Sequence, residues 1–511
     1  MLKTVLTGGL LSAAIVLMVQ DDAAADRGGN NGTNCNEAVG PDVIVGSLRG
    51  LSNYPSVNGI EAFAIGTESC NIGDEELLWY SGTNQKPVIG QSIYRLKDGR
   101  FEQIGQGWLK HGFFALSDNW CDCGCDPTDG TVLGVGCSDL YSSGLNGQQS
   151  NMGPKYEVNA FTGYYPYPAT DINQTGDGIY KRMQVRISDL DPEQDGGGDY
   201  FVEAQYVSPD DAAAGNHWNN ASSKLISVSG SGDSWNLNLN LAGTAREQQV
   251  LRFWPFLEPD VELNDVFVEN EGLLLVACKV TGNQDGTWQY EYAVQNYNSD
   301  RNISSFELPL SPDATVWDIG FHDVDYHSGS PVDGTDWVAS VDAGMITWKC
   351  TETYEQNEWA NAIRWGTTYN FRFSCDRGPR VDTATLGVFK PPVGDSVSMT
   401  TTTELRTPTG TTDPTGFCCV AGADCLMSTE VECGDQDGIF GGDWSLCEST
   451  SCLIPCDGDI NGDSSVGVND LLAVIAAWNT SDQNADIDDD GIVGVNDLLA
   501  VIGSWGPCSD G

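Results

Sequence analysis

Apolar and polar residues alternate along many short segments between residues 43 and 373. Alternation with a period of two is typical of β-strands that bury one face. Gly, Asn and Asp residues separate these segments, and no amphipathic helix longer than two turns is predicted among them. The clearest strand segments are Val43–Val45, Ala62–Ile65, Met183–Ile187, Tyr200–Val207, Leu273–Val280, Trp288–Val294 and Tyr369–Phe373. The pattern predicts a mainly β protein with a body rich in antiparallel β-sandwiches.

Composition divides the 511-residue chain further. Residues 1–25 are predicted to be a cleaved signal peptide, because Lys3 precedes an apolar stretch and Ala23–Ala25 precede Asp26. The body is predicted to contain an N-terminal cysteine-containing β domain at 26–175 and a β-sandwich domain at 176–390. Residues 391–416 are rich in Thr, Pro and Gly, so they are predicted to form an extended linker.

Charge and cysteine content indicate the compartment and exclude some partners. A formal net charge of −49 argues against nucleic-acid and anionic-membrane binding, which need clusters of Lys and Arg. Seventeen cysteines in an exported chain predict disulfides, and the odd number leaves at least one cysteine outside the intrachain pairs. No membrane span is predicted in the mature chain. The sequence therefore predicts a protein that is secreted or held at the cell surface.

Two clusters of cysteines leave alternatives open. Cys121, Cys123, Cys125 and Cys137 follow His111, and three sulfurs on one face of a strand would suit a soft metal ion. Disulfides with Cys35, Cys70 or Cys137 are favoured, and His111 is predicted to be a packed core residue. Residues 417–455 contain six more cysteines, for which disulfides are again favoured over zinc, since no C-x₂-C pair is present.

The ten residues VGVNDLLAVI occur twice near the C-terminus, at Val466–Ile475 and Val493–Ile502. An acidic run precedes each copy, and run and copy together place oxygen-bearing side chains at loop positions 1, 3, 5 and 12, the spacing that Ca²⁺ loops use. The predicted ligands, including the backbone carbonyl at position 7, are Asp459, Asn461, Asp463, Ser465 and Asp470 in the first loop and Asp486, Asp488, Asp490, Ile492 and Asp497 in the second.

This arrangement resembles a type I dockerin, a Ca²⁺-dependent docking module, over residues 456–508. The resemblance implies two bound Ca²⁺ ions, antiparallel helices, a Cys456–Cys508 disulfide that closes the module, and a cohesin-like protein or cell-surface component as partner. Val468-Asn469 and Val495-Asn496 are identical pairs at the recognition positions, so a partner could bind in two orientations. Ser464 replaces the glycine expected at position 6 of the first loop, which weakens that site.

A second metal site is predicted at His322, Asp323, Asp325 and His327. Two imidazoles and two carboxylates suit a divalent ion such as Zn²⁺ if the chain turns near Asp325. A polar loop between strands is the competing interpretation, and it is favoured.

The body carries no catalytic motif. The segments Gln289–Asn298 and Asn361–Phe373 resemble sandwich domains of uncharacterised secreted bacterial proteins, which implies no known activity. Dockerins usually accompany proteins that bind or degrade polysaccharides, so the leading hypothesis is a glycoside hydrolase, acting on O-glycosyl bonds, or a carbohydrate-binding subunit. The alternative is a non-catalytic surface or matrix protein anchored through the tail. The sequence nominates no catalytic residue.

Overall fold

The computed structural model describes residues 35, 38–239, 242–283, 285–392, 398–410, 415–420, 425–434, 436, 438–442, 447, 458, 460, 465–478, 480, 485–488 and 491–507. The predicted signal peptide lies outside these residues. The chain forms two compact units. The larger unit contains the chain up to Thr281, Trp288–Asp376 and Arg380–Thr409, and the smaller contains Gly282–Thr287, Arg377–Pro379 and Gly410–Gly511.

Within the described residues 38–239, thirteen strands form one large antiparallel sheet and one two-stranded ribbon. The strands are β1 (Val43–Val57), β2 (Ile60–Asn71), β3 (Leu77–Leu78), β4 (Val88–Lys97), β5 (Arg100–Gln106), β6 (Leu109–His111), β7 (Val132–Leu133), β8 (Ser138–Tyr141), β9 (Met152–Gly153), β10 (Met183–Arg186), β11 (Asp199–Val207), β12 (Ala221–Ser231) and β13 (Ser234–Asn238). The main path of the large sheet is β1-β2-β10-β5-β4-β11-β12-β13, and β3 pairs with β7 in the ribbon.

Two five-stranded sheets follow in the described part of the larger unit. Their strands are β14 (Glu262–Val268), β15 (Gly272–Gly282), β16 (Trp288–Asn296), β17 (Ile303–Pro309), β18 (Val316–His322), β19 (Val338–Asp342), β20 (Met345–Lys349), β21 (Thr367–Cys375), β22 (Arg380–Val388) and β23 (Thr400–Thr407). The second sheet has the order β14-β15-β16-β21-β18, and the third has the order β19-β20-β17-β22-β23.

The three sheets pack in layers. The large sheet is curved, so that β1 contacts β12, where the Ser222 hydroxyl donates to the Val45 carbonyl (2.7 Å). The curved sheet encloses a core that includes Phe63 and Val202. Phe101, Phe201 and Leu225 on its outer face share a core with Leu275 and Ala293 of the second sheet. The opposite face of the second sheet packs on the third through three ring contacts: Phe371 with Phe306 (4.9 Å between centroids), Phe371 with Trp348 (5.4 Å), and Tyr292 with Phe306 (5.5 Å). The mainly β prediction is confirmed.

The predicted division of the body at residue 175 does not separate two sheets. Strand β10, which follows that position, pairs with β2 at Met183 and Phe63 and with β5 at Gln184 and Gln106. Strand β11 pairs with β4 along its whole length. Aromatic and β-branched residues of β10 to β12 lie in the core of the large sheet. The large sheet therefore continues past residue 175, and its last strand, β13, ends at Asn238.

The predicted linker is wrong for eight of its residues. Thr400–Thr407 forms β23, which pairs in register with β22 from Thr407 opposite Arg380 to Thr400 opposite Gly387. β-Branched threonines suit a strand, and Leu405 and Thr407 are fully buried. The third sheet therefore includes a strand that lies beyond the predicted domain end at residue 390.

Helices in the described part of the larger unit are short, with six residues at most. They are α1 (Ser143–Asn146), α2 (Ile187–Leu190), α3 (Pro209–Ala214) and α4 (Phe253–Leu257), with 3₁₀ turns at Lys155–Glu157 and Val250–Arg252. Among the described residues, no helix is long and apolar enough to cross a membrane.

The cysteines of the body form disulfides, as favoured from the sequence. The pairs are Cys35–Cys123, Cys70–Cys121 and Cys125–Cys137, so these sulfurs are not available to a metal. Three more cysteines are buried thiols: Cys278, Cys350 and Cys375. Burial raises the pKa of the Cys278 thiol to about 12, which makes it unreactive as a thiolate.

The described part of the smaller unit contains a three-stranded sheet and three helices. Strands β24 (Thr415–Cys419), β25 (Leu426–Thr429) and β26 (Ile439–Phe440) surround α5 (Glu430–Gly434), with disulfides Cys418–Cys433 and Cys425–Cys447. Cys419 is also disulfide-bonded. The helices α6 (Val468–Ala476) and α7 (Val495–Gly503) follow, and β27 (Ser465–Val466) pairs with β28 (Gly506–Pro507). Cys456 and Cys508, the predicted closing disulfide, lie outside the described residues.

Candidate functional site

The second acidic loop gathers three carboxylates. Asp486, Asp488 and Asp497 each offer an oxygen, and these oxygens lie within 4.8 Å of one another. In the described parts of the chain, this is the one group of at least three Asp, Glu, His or Cys side chains close enough to share a metal ion. The three residues occupy loop positions 1, 3 and 12 of the predicted calcium loop. Asp490, the predicted ligand at position 5, lies outside the described residues.

Backbone N–H groups fix two of these carboxylates. Asp497 Oδ1 accepts from the amides of Ile487 (2.7 Å) and Asp488 (3.2 Å), and its Oδ2 accepts from Gly494 (2.6 Å). Asp486 Oδ2 accepts from the amide of Gly491 (2.8 Å), which has a φ of +90° that favours glycine. The loop therefore wraps around its own carboxylates, with position 1 tied to position 6 and position 12 tied to the loop start.

The pKa of Asp497 is lowered. Desolvation by itself would raise this pKa, but hydrogen bonds from the amides of Gly494, Asp488 and Ile487 favour the charged form and outweigh it. The carboxylate consequently stays ionised at neutral pH, as a ligand of a hard cation requires.

The first loop repeats this geometry where the structure describes it. Asp470 Oδ1 accepts from the amide of Ile460 (2.9 Å), and its Oδ2 accepts from the amide of Gly467 (2.8 Å). Each partner lies 27 positions before its counterpart at Ile487 and Gly494. Asp459, Asn461 and Asp463, the other predicted side-chain ligands, lie outside the described residues, and Ser465 is described for its backbone in β27 alone.

The two helices share a small apolar core. Buried side chains at its centre are Val466, Val474, Ala485, Val493 and Val501. Val466 and Val493 occupy equivalent positions of the two repeats, as do Val474 and Val501. The repeat in sequence is therefore also a repeat in packing.

Both helices also expose apolar side chains at equivalent positions. The first face contains Val468, Leu472, Ile475 and Trp478, and the second contains Val495, Leu499, Ile502 and Trp505. Their exposed fractions run from 40% to 61%, which is unusual for three large apolar residues on one helical face and a tryptophan just after it. We call these two sets the duplicated apolar faces.

The structure does not bring the four residues of the predicted His322–His327 site together. Asp325 forms a bidentate ion pair with Arg186, and Asp323 accepts a hydrogen bond from the Asn361 amide. The two imidazoles contact different carbonyl groups, as follows: His327 Nε2 with Gln106 O (2.7 Å) and His322 Nε2 with Gln103 O (3.2 Å). Burial lowers the pKa of His327 to about 4 and keeps it neutral. Each side chain has its own partner on the body.

His111, the other histidine considered as a ligand, is fully buried and packs edge-on against the Tyr165 ring (5.0 Å). Burial first, and then the nearby lysines 86, 110 and 181, lower its pKa to about 3. A neutral imidazole inside the core agrees with the packed role that the sequence favours.

A cleft in the larger unit was not predicted. It encloses about 550 Å³, part of it open to solvent. Its walls include four aromatic residues and four charged ones: Trp108, Tyr156, Tyr326, Trp365, Lys155, Arg364, Lys390 and Asp300. These residues come from six separated places between 108 and 390, so no local sequence motif predicts the cleft. We call it the aromatic cleft.

A second cleft is more polar. It is lined by Arg95, Glu102, Asp189, His322 and Arg372, among others. The Arg95 guanidinium lies 3.0 Å from Glu102 and 3.7 Å from Asp189. Both carboxylates are thus held by one cation, and we interpret this cluster as a structural ion-pair network.

Comparisons with known proteins identify no family. No family model and no curated protein matches the chain. Among solved structures, the N-terminal domain of the Streptococcus gordonii adhesin Sgo0707 matches with 8% identity over 74% of this chain and 98% of that chain. Its TM-score of 0.16 is too low to support an argument about fold or function.

Proposed function

We propose that this protein is exported and that residues 456–508 form a dockerin-like docking module, stabilised by two Ca²⁺ ions. The observation that carries the proposal is the structural repeat. Asp470 and Asp497 accept hydrogen bonds from equivalent amides, 27 residues apart, and each lies in the first turn of a helix of nine residues. The bonds from Gly467 and Gly494 also cap the two helices, whereas the bonds from Ile460 and Ile487 close each loop around its carboxylate, as a Ca²⁺ loop does.

Calcium is the ion that the ligands favour. All predicted side-chain ligands are oxygen donors, and three carboxylates within 4.8 Å repel one another unless a cation lies between them. Asp486, Asp488 and Asp497 would hold the second ion, with Asp490 and the carbonyl of Ile492. Asp470 would hold the first, with Asp459, Asn461, Asp463 and the carbonyl of Ser465.

The partner of this module would be a cohesin-like protein or a cell-surface component. The duplicated apolar faces supply the contact area, since exposed apolar patches mark interaction surfaces. The two faces carry the same residues at equivalent positions, so either could meet the partner and the module could dock in two orientations.

For the larger unit we propose carbohydrate binding. Glycoside hydrolysis needs two carboxylates that flank the scissile bond, roughly 5 to 10 Å apart. The aromatic cleft has one carboxylate in its walls, Asp300, and it forms an ion pair with Lys390 (3.0 Å). Aromatic walls instead suit stacking against the apolar faces of sugar rings. A binding subunit is therefore favoured over a hydrolase.

Calcium titration of the full-length protein tests the module. We expect isothermal titration calorimetry to give two Ca²⁺ ions per chain and the double variant Asp486→Ala, Asp497→Ala to give one. Asp342→Ala, at an exposed hairpin position of the larger unit, is the matched control and should retain both. Unchanged stoichiometry in the double variant would contradict the ligand assignment.

The carbohydrate proposal has a separate test. The full-length protein would be incubated with a panel of insoluble and soluble polysaccharides, and both retention and released reducing ends would be measured. Retention without release is expected. Release of reducing ends would make the protein a hydrolase, and no retention on any glycan would favour the anchored matrix protein.

A further inference from the structure

The aromatic cleft is unusual in its charge. The chain has a formal net charge of −49, yet the walls of this cleft carry three cationic side chains and one carboxylate. Lys390 and Asp300 neutralise each other, which leaves Lys155 and Arg364. His327 also lines the cleft but is neutral, because burial lowers its pKa to about 4. The cleft is thus a positive site on an acidic protein.

The two remaining cations have only neutral hydrogen-bond partners. Lys155 Nζ donates to the Gln106 side chain (3.2 Å) and to the Gly366 carbonyl (3.1 Å). Arg364 donates from one terminal nitrogen to the carbonyls of Glu358 (2.9 Å) and Ala360 (3.2 Å). Its Nε is buried and has no hydrogen-bond partner among the described residues, although the side chain is only 7% exposed. Arg364 lines the cleft, and a guanidinium with an unpaired N–H is suited to bind an anion.

Aromatic rings lie beside these cations. Lys155 Nζ is 5.7 Å from the centroid of the Trp365 ring, and the Trp365 indole N–H donates to the Val158 carbonyl (2.8 Å). The Trp108 indole N–H donates to the His327 carbonyl (3.4 Å). These bonds fix the two indoles in the walls of the cleft. A ligand with an apolar ring face and a negative group would match both features.

We propose that the aromatic cleft binds a uronate unit of an acidic polysaccharide. Lys155 and Arg364 receive the carboxylate, and Trp365 and Trp108 border the sugar ring. This inference rests on the part of the proposed function that assigns polysaccharide to the larger unit, and not on the calcium-binding module.

The test compares two ligands that differ at one carbon. Full-length protein in EDTA, which prevents Ca²⁺ from bridging anions, is titrated with oligogalacturonate and with the matching neutral oligogalactose. Tryptophan fluorescence and calorimetry report binding. We expect at least about tenfold higher affinity for the uronate, because a charge-assisted contact is made by one ligand alone, and this preference should weaken as NaCl is added.

A variant pair locates the effect. Lys155→Met should lower uronate affinity at least about tenfold and leave weak binding of the neutral ligand unchanged. Lys97→Met is the control, because Lys97 lies in the polar cleft, paired with Asp195 (2.9 Å). If Lys155→Met fails to fold by calorimetry, Lys155→Gln replaces it, since a glutamine amide removes the charge and can still donate towards the Gln106 side chain and the Gly366 carbonyl.

The outcomes separate this inference from the wider proposal. Equal affinity for the two ligands, or no binding of galacturonate, glucuronate and mannuronate oligomers, would overturn the uronate site. Retention on neutral glycans in that case would leave the carbohydrate proposal standing. Uronate binding that survives in Lys155→Met would overturn the site in the aromatic cleft.

Discussion

The larger and smaller units differ in what they bury. The larger unit encloses whole aromatic side chains, including Trp79, Trp254 and Trp348, each 0% exposed. The helical part of the smaller unit has a core of valines and alanines, and its tryptophans Trp478 and Trp505 are 40% and 51% exposed. Burial of apolar surface is worth about 25 cal/mol per Å², so the larger unit has a far larger source of stability. A module with so small a core needs a further source of stability, such as a bound metal ion.

Chelation gives the largest expected difference between the two units. EGTA should unfold the helices α6 and α7, because Asp486, Asp488 and Asp497 then repel one another without a cation. Differential scanning calorimetry should lose the transition of the smaller unit or shift it by more than about 10 °C, and ellipticity at 222 nm should fall.

The transition of the larger unit serves as the internal control and should not move. Re-addition of Ca²⁺ should restore the helical signal. A helical transition that is indifferent to EGTA would show that the valine core is sufficient, and it would contradict the comparison.

The next effect lies in the larger unit. Phe371→Ala should destabilise it by about 3–5 kcal/mol, because this side chain is fully buried and contacts Phe306 and Trp348 of the third sheet. Urea unfolding followed by tryptophan fluorescence would measure the loss. Phe256→Ala is the control, since that ring is 51% exposed and should cost less than about 0.5 kcal/mol. Similar losses in the two variants would refute the layered core.

The pH dependence of the larger unit offers a smaller effect. Asp139 is buried, and desolvation followed by repulsion from Asp118 raises its pKa to about 7, despite a hydrogen bond from the Leu116 amide. Protonation is then favoured in the folded state, so its contribution to stability is full below the unfolded pKa of about 3.9 and is lost as pH rises through about 7. The pKa of Asp497 is lowered, so its contribution to stability has the opposite pH dependence and is lost as the pH falls.

Asp139→Asn should remove that dependence. Between pH 5 and 8 the melting temperature of the wild-type larger unit should fall by a few degrees relative to the variant. The neutral buried His111 acts in the opposite direction, but it is present in both proteins and cancels in the difference. Parallel curves for the two proteins would show that Asp139 is ionised throughout this range.

The smallest effect is expected on the duplicated apolar faces. In Ca²⁺, Leu472→Ala should change the stability of the smaller unit by less than about 0.5 kcal/mol, since Leu472 is 54% exposed. Val474→Ala should cost about 1–2 kcal/mol, since Val474 is 0% exposed. Calorimetry distinguishes the two. A large loss in Leu472→Ala would mean that the face is part of the module's own core.

Local patterns predicted strands better than they predicted layers. The segments Val43–Val45, Tyr200–Val207 and Tyr369–Phe373 all lie in strands, because alternation and β-branched residues report which face is buried. Pairing between strands that are far apart in sequence produces no local pattern, so the predicted domain boundary at residue 175 does not coincide with a boundary between sheets. The composition of Thr400–Thr407 predicts a linker because threonines occur both in extended linkers and in β-strands. Its pairing with β22 shows that it is a strand.

The candidate sites follow the same rule. The acidic loops were predicted because all their ligands lie within twelve consecutive positions, and Asp486, Asp488 and Asp497 do come together. The aromatic cleft could not be predicted, since Lys155 and Arg364 are distant in sequence and meet through the packing of the sheets. The side chains of the His322–His327 segment do not come together, because Asp325 pairs with Arg186 and the two imidazoles contact separate carbonyl groups.

The disulfides of the first sheet have a consequence for proteolysis. Cys35–Cys123 spans 88 positions and Cys125–Cys137 spans 12. A protease that cuts one peptide bond inside either span leaves both fragments covalently joined, and the surrounding strands keep them in place. Such nicked protein would migrate as one band in a non-reducing gel and as two after reduction. This chain can therefore be cut once inside either span and remain covalently joined.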